Sequence, residues 1–123
     1  MYIMPPITRI LKISSTIFLN VFIPLSNAIE YPSPVGYVND FAYMISPSDE
    51  ANLNDLISSI EKATTVEIVI VTIDSLQGLS VEEYAVKLFE KWGIGKKSND
   101  NGLLILVAKN ERGILIQDGV FYS

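Results

Sequence analysis

The chain has 123 residues, nine basic against fourteen acidic, for a net charge of −5, and it contains neither cysteine nor histidine. Without cysteine there are no disulfide frameworks and no thiol catalysis; without histidine there is no His-based triad, no imidazole proton shuttle and no usual zinc or copper ligand set. Any chemistry is left to carboxylates, hydroxyls, amines and the backbone.

The opening stretch, MYIMPPITRILK, carries Arg9 and Lys12 and no acid, and ISSTIFLNVFIPL follows it, an apolar run of 13 residues interrupted by Asn20 and Pro24. Ser26 and Ala28 then have the small-residue spacing of a cleavage site. A permanent membrane helix takes about 17–25 apolar residues, so residues 1–28 read as an export signal. The expected location is periplasmic, extracellular or on the outer face of a membrane. An uncleaved anchor and a buried N-terminal element are the alternatives. Cleavage would remove two basic residues and no acid, leaving 95 residues with seven basic against fourteen acidic, a net charge of −7. That balance argues against nucleic acid or an anionic membrane surface as partner, and the length suits one modest domain, 29–123.

Residues 30–46, EYPSPVGYVNDFAYMIS, are rich in Pro, Gly and aromatics without a steady period. They predict an extended lead-in with Tyr37, Phe41 and Tyr43 packed on the body. A first helix follows, capped by Ser46 with Pro47 at its first position, and Leu53, Leu56, Ile57 and Ile60 recur along it at helical spacing. VEIVIVTI, residues 66–73, is apolar on both alternations after Glu67 and predicts a central strand covered on both faces. Ser80 and Glu83 form a capping box for a second helix. Its stripe of Val81, Tyr84, Ala85, Leu88, Phe89 and Trp92 reads as core, and Gly93 reads as its terminator. After the loop GIGKKSNDNG, LLILVA at 103–108 predicts a strand, and ILIQ at 114–117 a returning one. The expected fold is a small α/β sandwich with a mixed sheet: a β-α-β crossover with parallel strands plus an antiparallel hairpin. Two helices are few for a sheet apolar on both faces, so a partner, a second copy or a further layer is expected on the other side.

The order PSPVGYVNDFAYMIS, capped helix, EIVIVTIDSLQGLSVEEYAVKLFEKWGIGKKSNDNGLLILVAKNERGILI is similar to the TPM domain family over about residues 32–118. Its members include exported or membrane-anchored bacterial proteins and a thylakoid-lumen acid phosphatase. The resemblance implies an α/β sandwich outside the cytoplasm, in the thylakoid lumen if the source bears plastids. It also implies divalent-cation binding, chiefly calcium, and phosphomonoester hydrolysis in some members. Carried onto this sequence, Asp40 in VNDFA and Asp100 in NDNG match the acidic positions of the cation-binding cleft, with Asn101 beside Asp100, and Gly93 and Gly95 match positions that bend the loop after Trp92. Residues 117–123 depart from the glycine-rich turn of the family, so the domain is expected to be C-terminally shortened, and activity is left open.

Read without the family, Asp100 between Asn99 and Asn101 is either a hard-ion ligand or a turn held by side-chain-to-backbone hydrogen bonds. Asp40 either supports the lead-in or delivers a carboxylate to a cleft. Lys96 and Lys97 either offset phosphate charge or are solvated, and GIGKKS lacks the glycine spacing of a P-loop. If hydrolysis occurs, the expected mechanism is metal-assisted attack of water on a phosphomonoester, with Asp40 and Asp100 anchoring the ion and Lys96 facing the phosphate. The competing class is a non-catalytic module that assists assembly or maintenance of a membrane protein complex, or that self-associates as a homo-oligomer.

Overall fold

A computed structural model describes residues 28–96 and 100–118. Residues 1–27, where the export signal is expected, and residues 97–99 and 119–123 lie outside the described residues. The chain divides into two compact units, Met1–Glu30 and Tyr31–Ser123, and the fold is that of the second.

Six elements follow in order: β1 (Val38–Asp40), α1 (Pro47–Thr64), β2 (Glu67–Ile73), α2 (Val81–Trp92), β3 (Gly102–Ala108) and β4 (Gly113–Asp118). Both helices start where their capping chemistry dictates. The Ser46 hydroxyl accepts from the Asp49 amide at 3.1 Å, and Ser80 and Glu83 complete a reciprocal capping box. Thr65 and Gly93 end the helices in the left-handed conformation, each returning its N–H to a carbonyl of the last turn.

The sheet runs β1-β2-β3-β4, with β1, β2 and β3 parallel and β4 antiparallel to β3. The α/β class, the crossover between β2 and β3 and the closing hairpin are as the sequence predicts. The fourth strand is a finding. Within the lead-in, Val38–Asp40 pairs with Ile70–Thr72, a strand disguised by a polar residue in its middle. Asn39 is fully buried. Its side-chain oxygen accepts from the Val35 amide at 2.7 Å, and its NH2 group donates to the carbonyls of Gly36 and Ile70 at 2.9 and 3.2 Å. A buried amide is tolerable because its hydrogen bonds are made. The lead-in is also tied to α2: Tyr31 stacks on Tyr84 with centroids 4.8 Å apart, and the Trp92 indole N–H donates to the Pro32 carbonyl at 2.9 Å.

Register sorts the strand residues by face. Val69, Val71 and Ile73 align with Leu104, Leu106 and Ala108, and all six are buried, together with Tyr84, Ala85 and Leu88 of α2 and Ile57 of α1. On the opposite face Ile68, Ile70, Leu103, Ile105 and Val107 are only half-buried. On that face of the edge strand β4, Ile114 is 69% and Ile116 60% exposed. Successive right-handed crossovers stepping the same way across a sheet put both helices over one face, and the burial follows that rule. The expectation that β2 and β3 are covered on both faces therefore holds on one face of the described residues. Two aromatic and aliphatic assignments also change: Tyr43 stands out in solvent rather than packing on the body, and Leu56 faces outward while Leu53, Ile57 and Ile60 turn inward.

Candidate functional site

Asp40 ends β1, level with Thr72 of β2 and so at the carboxyl end of the parallel strands, where sites in open α/β sheets collect. Its carboxylate is heavily engaged. One oxygen accepts from the Thr72 hydroxyl at 2.7 Å and the Met44 amide at 2.8 Å, and the other accepts from the Ile45 amide at 3.0 Å. The Thr72 hydroxyl oxygen in turn accepts from the Ala42 amide at 3.0 Å, which fixes its hydrogen toward the carboxylate. Burial works against ionisation of Asp40, but these three donors outweigh it and hold the pKa below the ordinary carboxylate value. The carboxylate thus organises residues 41–46 into a tight loop, with Tyr43 at φ 54°, a left-handed conformation that costs a side-chain-bearing residue energy.

Two open clefts flank that loop and share Ile45 as a wall. One, of about 480 Å³, is bordered by the Asp40, Glu50 and Asn54 side chains with Tyr43 and Pro47. The other, of about 430 Å³, is bordered by Met44, Leu53 and Leu56 with Asp49 and Asn52. Tyr43 is 92%, Leu56 55% and Met44 48% exposed. Among the described residues no lysine or arginine borders either cleft.

Asp100 and Asn101 lie elsewhere. They precede Gly102, which is level with Glu67 at the amino end of the strands, whereas Asp40 is level with Thr72 and Val107. Five residue steps of about 3.3 Å put roughly 17 Å between those levels. Calcium–oxygen bonds are about 2.3–2.6 Å, so Asp40 and Asp100 are not brought to one ion, and the joint site expected from the sequence is corrected to two separate locations. Lys96 belongs to the second: its ammonium stands 3.7 Å from the Asp100 carboxylate, both groups exposed, and it is remote from Asp40. The expected mechanism, with Lys96 facing a phosphate held on an ion between the two aspartates, has no counterpart in this arrangement. Among the described residues no three carboxylates converge as a metal site would require.

What holds the amino-end loop is backbone. The Glu67 carboxylate accepts from the Gly95 amide at 2.7 Å, and the Glu67 amide donates to the Asn101 carbonyl at 3.0 Å. Gly95, at φ +85°, passes so near Gly102 that a Cβ on it would sit 2.7 Å from the Gly102 nitrogen. The expectation that Gly95 bends this loop is met in that contact. Thr72, Tyr43, Glu50 and Asn54 escaped the sequence reading. Glu50 and Asn54 were findable, since an i, i+4 pair on a capped helix shares one face; Thr72 was not, because it reaches Asp40 only through strand pairing.

The sequence profile of the TPM domain matches residues 38–120, from the first residue of β1 onward. The chain belongs to the TPM domain family. Solved structures that resemble it include two N-terminal domains determined by solution NMR. The one from a P. gingivalis protein is 30% identical with a TM-score of 0.62, covering 68% of this chain and 53% of that one. The one from a Corynebacterium glutamicum protein is 25% identical with a TM-score of 0.60, covering 80% of this chain and 62% of that one. The chain spans 53% and 62% of the length of these two structures. No curated protein matches it. In this TPM domain, then, the acidic residue closing β1 and the acidic residue before β3 serve opposite ends of one sheet. No helix among the described residues is long and apolar enough to cross a membrane.

Proposed function

We propose that this TPM domain is a non-catalytic binding module working outside the cytoplasm, where the loop between β1 and α1 docks on a component of a membrane protein complex. One observation carries the reading: the Asp40 carboxylate commits three of its roughly four acceptor positions to Thr72, Met44 and Ile45, and the loop so braced holds Tyr43 and Met44 out in solvent. An exposed aromatic in a costly backbone conformation is a feature of recognition surfaces. The signal-like residues 1–28 support the location. Photo-crosslinking in cells from position 43, with position 86 on α2 as control, tests it: a discrete adduct at 43 alone is expected, and equal labelling at both positions overturns the reading. So does phosphomonoester hydrolysis by the purified chain that Asp40→Asn abolishes.

A second reading, weak calcium binding, has its own observation. Asp40, Glu50 and Asn54 are oxygen donors around one cleft, the ligand class calcium takes, although it wants six to eight oxygens and water must supply the remainder. A bound ion there would polarise a phosphate ester or an attacking water. At the other end, Lys96 competes for Asp100, which makes Asp100 and Asn101 the poorer pair. A millimolar site corresponds to only about 4 kcal/mol. Calcium titration followed by NMR is expected to move the Met44 and Ile45 amides, and saturable shifts confined to Asp100 and Asn101 would place the ion at the wrong end for this reading.

A further inference from the structure

We infer that the occupant of the paired clefts around Ile45 is a peptide segment of another protein in which apolar side chains are flanked by lysine or arginine. The inference deepens the binding-module reading and rests on it. Its basis is the combination of shape and charge on one surface. Met44, Leu53, Leu56 and the Tyr43 ring offer apolar contact from two adjoining open depressions of about 480 and 430 Å³, room enough for more than one aliphatic or aromatic side chain of a peptide. Three carboxylates, Asp40, Asp49 and Glu50, border the same depressions with no basic residue among the lining. Asp40 is held ionised by its donors, and Asp49 and Glu50 sit in the first turn of α1. Opposite charge around an apolar centre sets partner choice and encounter rate.

The same charges disfavour the other occupants. A second copy of this chain brings a net charge of −5 of its own, and a two-fold contact through this surface would set each acidic rim against its twin. An anionic membrane is repelled for the same reason. A peptide that offers lysine or arginine at the rim and leucine- or phenylalanine-like side chains to the two depressions satisfies both features at once. Tyr43 then acts as the anchor: the backbone that carries it is held by the Asp40 bonds to Met44 and Ile45, so the loop itself needs little ordering on docking.

The test uses the full chain and three short fluorescent peptides of matched length: one combining leucine and lysine, one combining leucine and glutamate, and one combining serine and lysine. Polarisation and amide shift mapping are read together. The leucine–lysine peptide is expected to bind and to move the amides of Met44, Ile45 and Leu56. Tyr43→Ser should weaken it by roughly tenfold or more, and the double variant Asp49→Asn, Glu50→Gln should weaken it and flatten its salt dependence. Equal binding of the serine–lysine peptide, shifts confined to Ile114 and Ile116 on the open sheet face, or binding to anionic vesicles in preference to the peptide each overturn the partner assignment. If the leucine–glutamate peptide alone binds at Met44 and Ile45, the partner chemistry fails while the docking loop survives. If no peptide moves those amides, both fail. Because Asp49 and Tyr43 are exposed and Glu50 is only half-buried, the variants are expected to fold, and unchanged amide spectra away from the loop verify it.

Discussion

Asp40 stabilises the fold through its charge and its geometry together. Replacing it with asparagine keeps the shape but turns one accepting oxygen into a donor facing backbone N–H groups, so Asp40→Asn is expected to cost about 2 kcal/mol in urea unfolding at pH 7. Its folded pKa lies below the ordinary 3.8, so on acidification the unfolded chain takes up this proton first. The stabilisation is complete above about pH 4 and is lost as pH falls through the folded value. The gap between wild type and Asp40→Asn should therefore shrink in unfolding curves taken at pH 3; a gap that widens there contradicts the assignment. Gly95 is the second residue on which much rests. Gly95→Ala forces a Cβ into the Gly102 backbone at a positive φ and is expected to cost about 2 kcal/mol or more. Gly36→Ala, which meets nothing within 4 Å, should be close to neutral in the same melt.

At the scale of elements, what was legible from sequence was local. Ser46-Pro47 and Ser80 with Glu83 announce helix starts because capping is decided within four residues. The prediction that follows is that Ser80→Ala lowers stability by about 1 kcal/mol, measured against Ser59→Ala, whose hydroxyl only back-bonds within α1. The run at 66–73 announces a buried strand by β-branching. What was not legible was β1, three residues long with a buried asparagine at its centre, because its evidence lies in pairing with Ile70–Thr72 rather than in any pattern of its own. That omission also misplaced the site. Once Val38–Asp40 is a strand parallel to β2 and β3, a residue that closes β1 and a residue that precedes β3 must lie at opposite ends, so Asp40 and Asp100 are parted by strand direction. The distance between them is set by the strand register.

Among the described residues the sheet has two unlike faces. The face beneath α2 is closed, while Ile114 and Ile116 on β4 stand on a sheet face and an edge strand together, the combination most prone to association. Ile116→Lys is expected to change stability by less than about 1 kcal/mol, because the side chain is mostly exposed, while reducing hydrophobic-dye binding and light scattering at high concentration. A large loss of stability would mean that this face is covered. The close passage of Gly95 over Gly102 bears on the chemistry of ageing. Asn101-Gly102 is the dipeptide in which an asparagine side chain most readily cyclises onto the following backbone nitrogen and opens to a carboxylate. Here a Cβ on Gly95 would sit 2.7 Å from that nitrogen, and the Asn101 carbonyl is held by the Glu67 amide, so the fold restrains the backbone adjustment that ring closure, with release of ammonia, requires. Conversion of Asn101 to a carboxylate is therefore expected to be slower in the folded chain than in the unfolded one, which the mass of samples aged with and without urea checks.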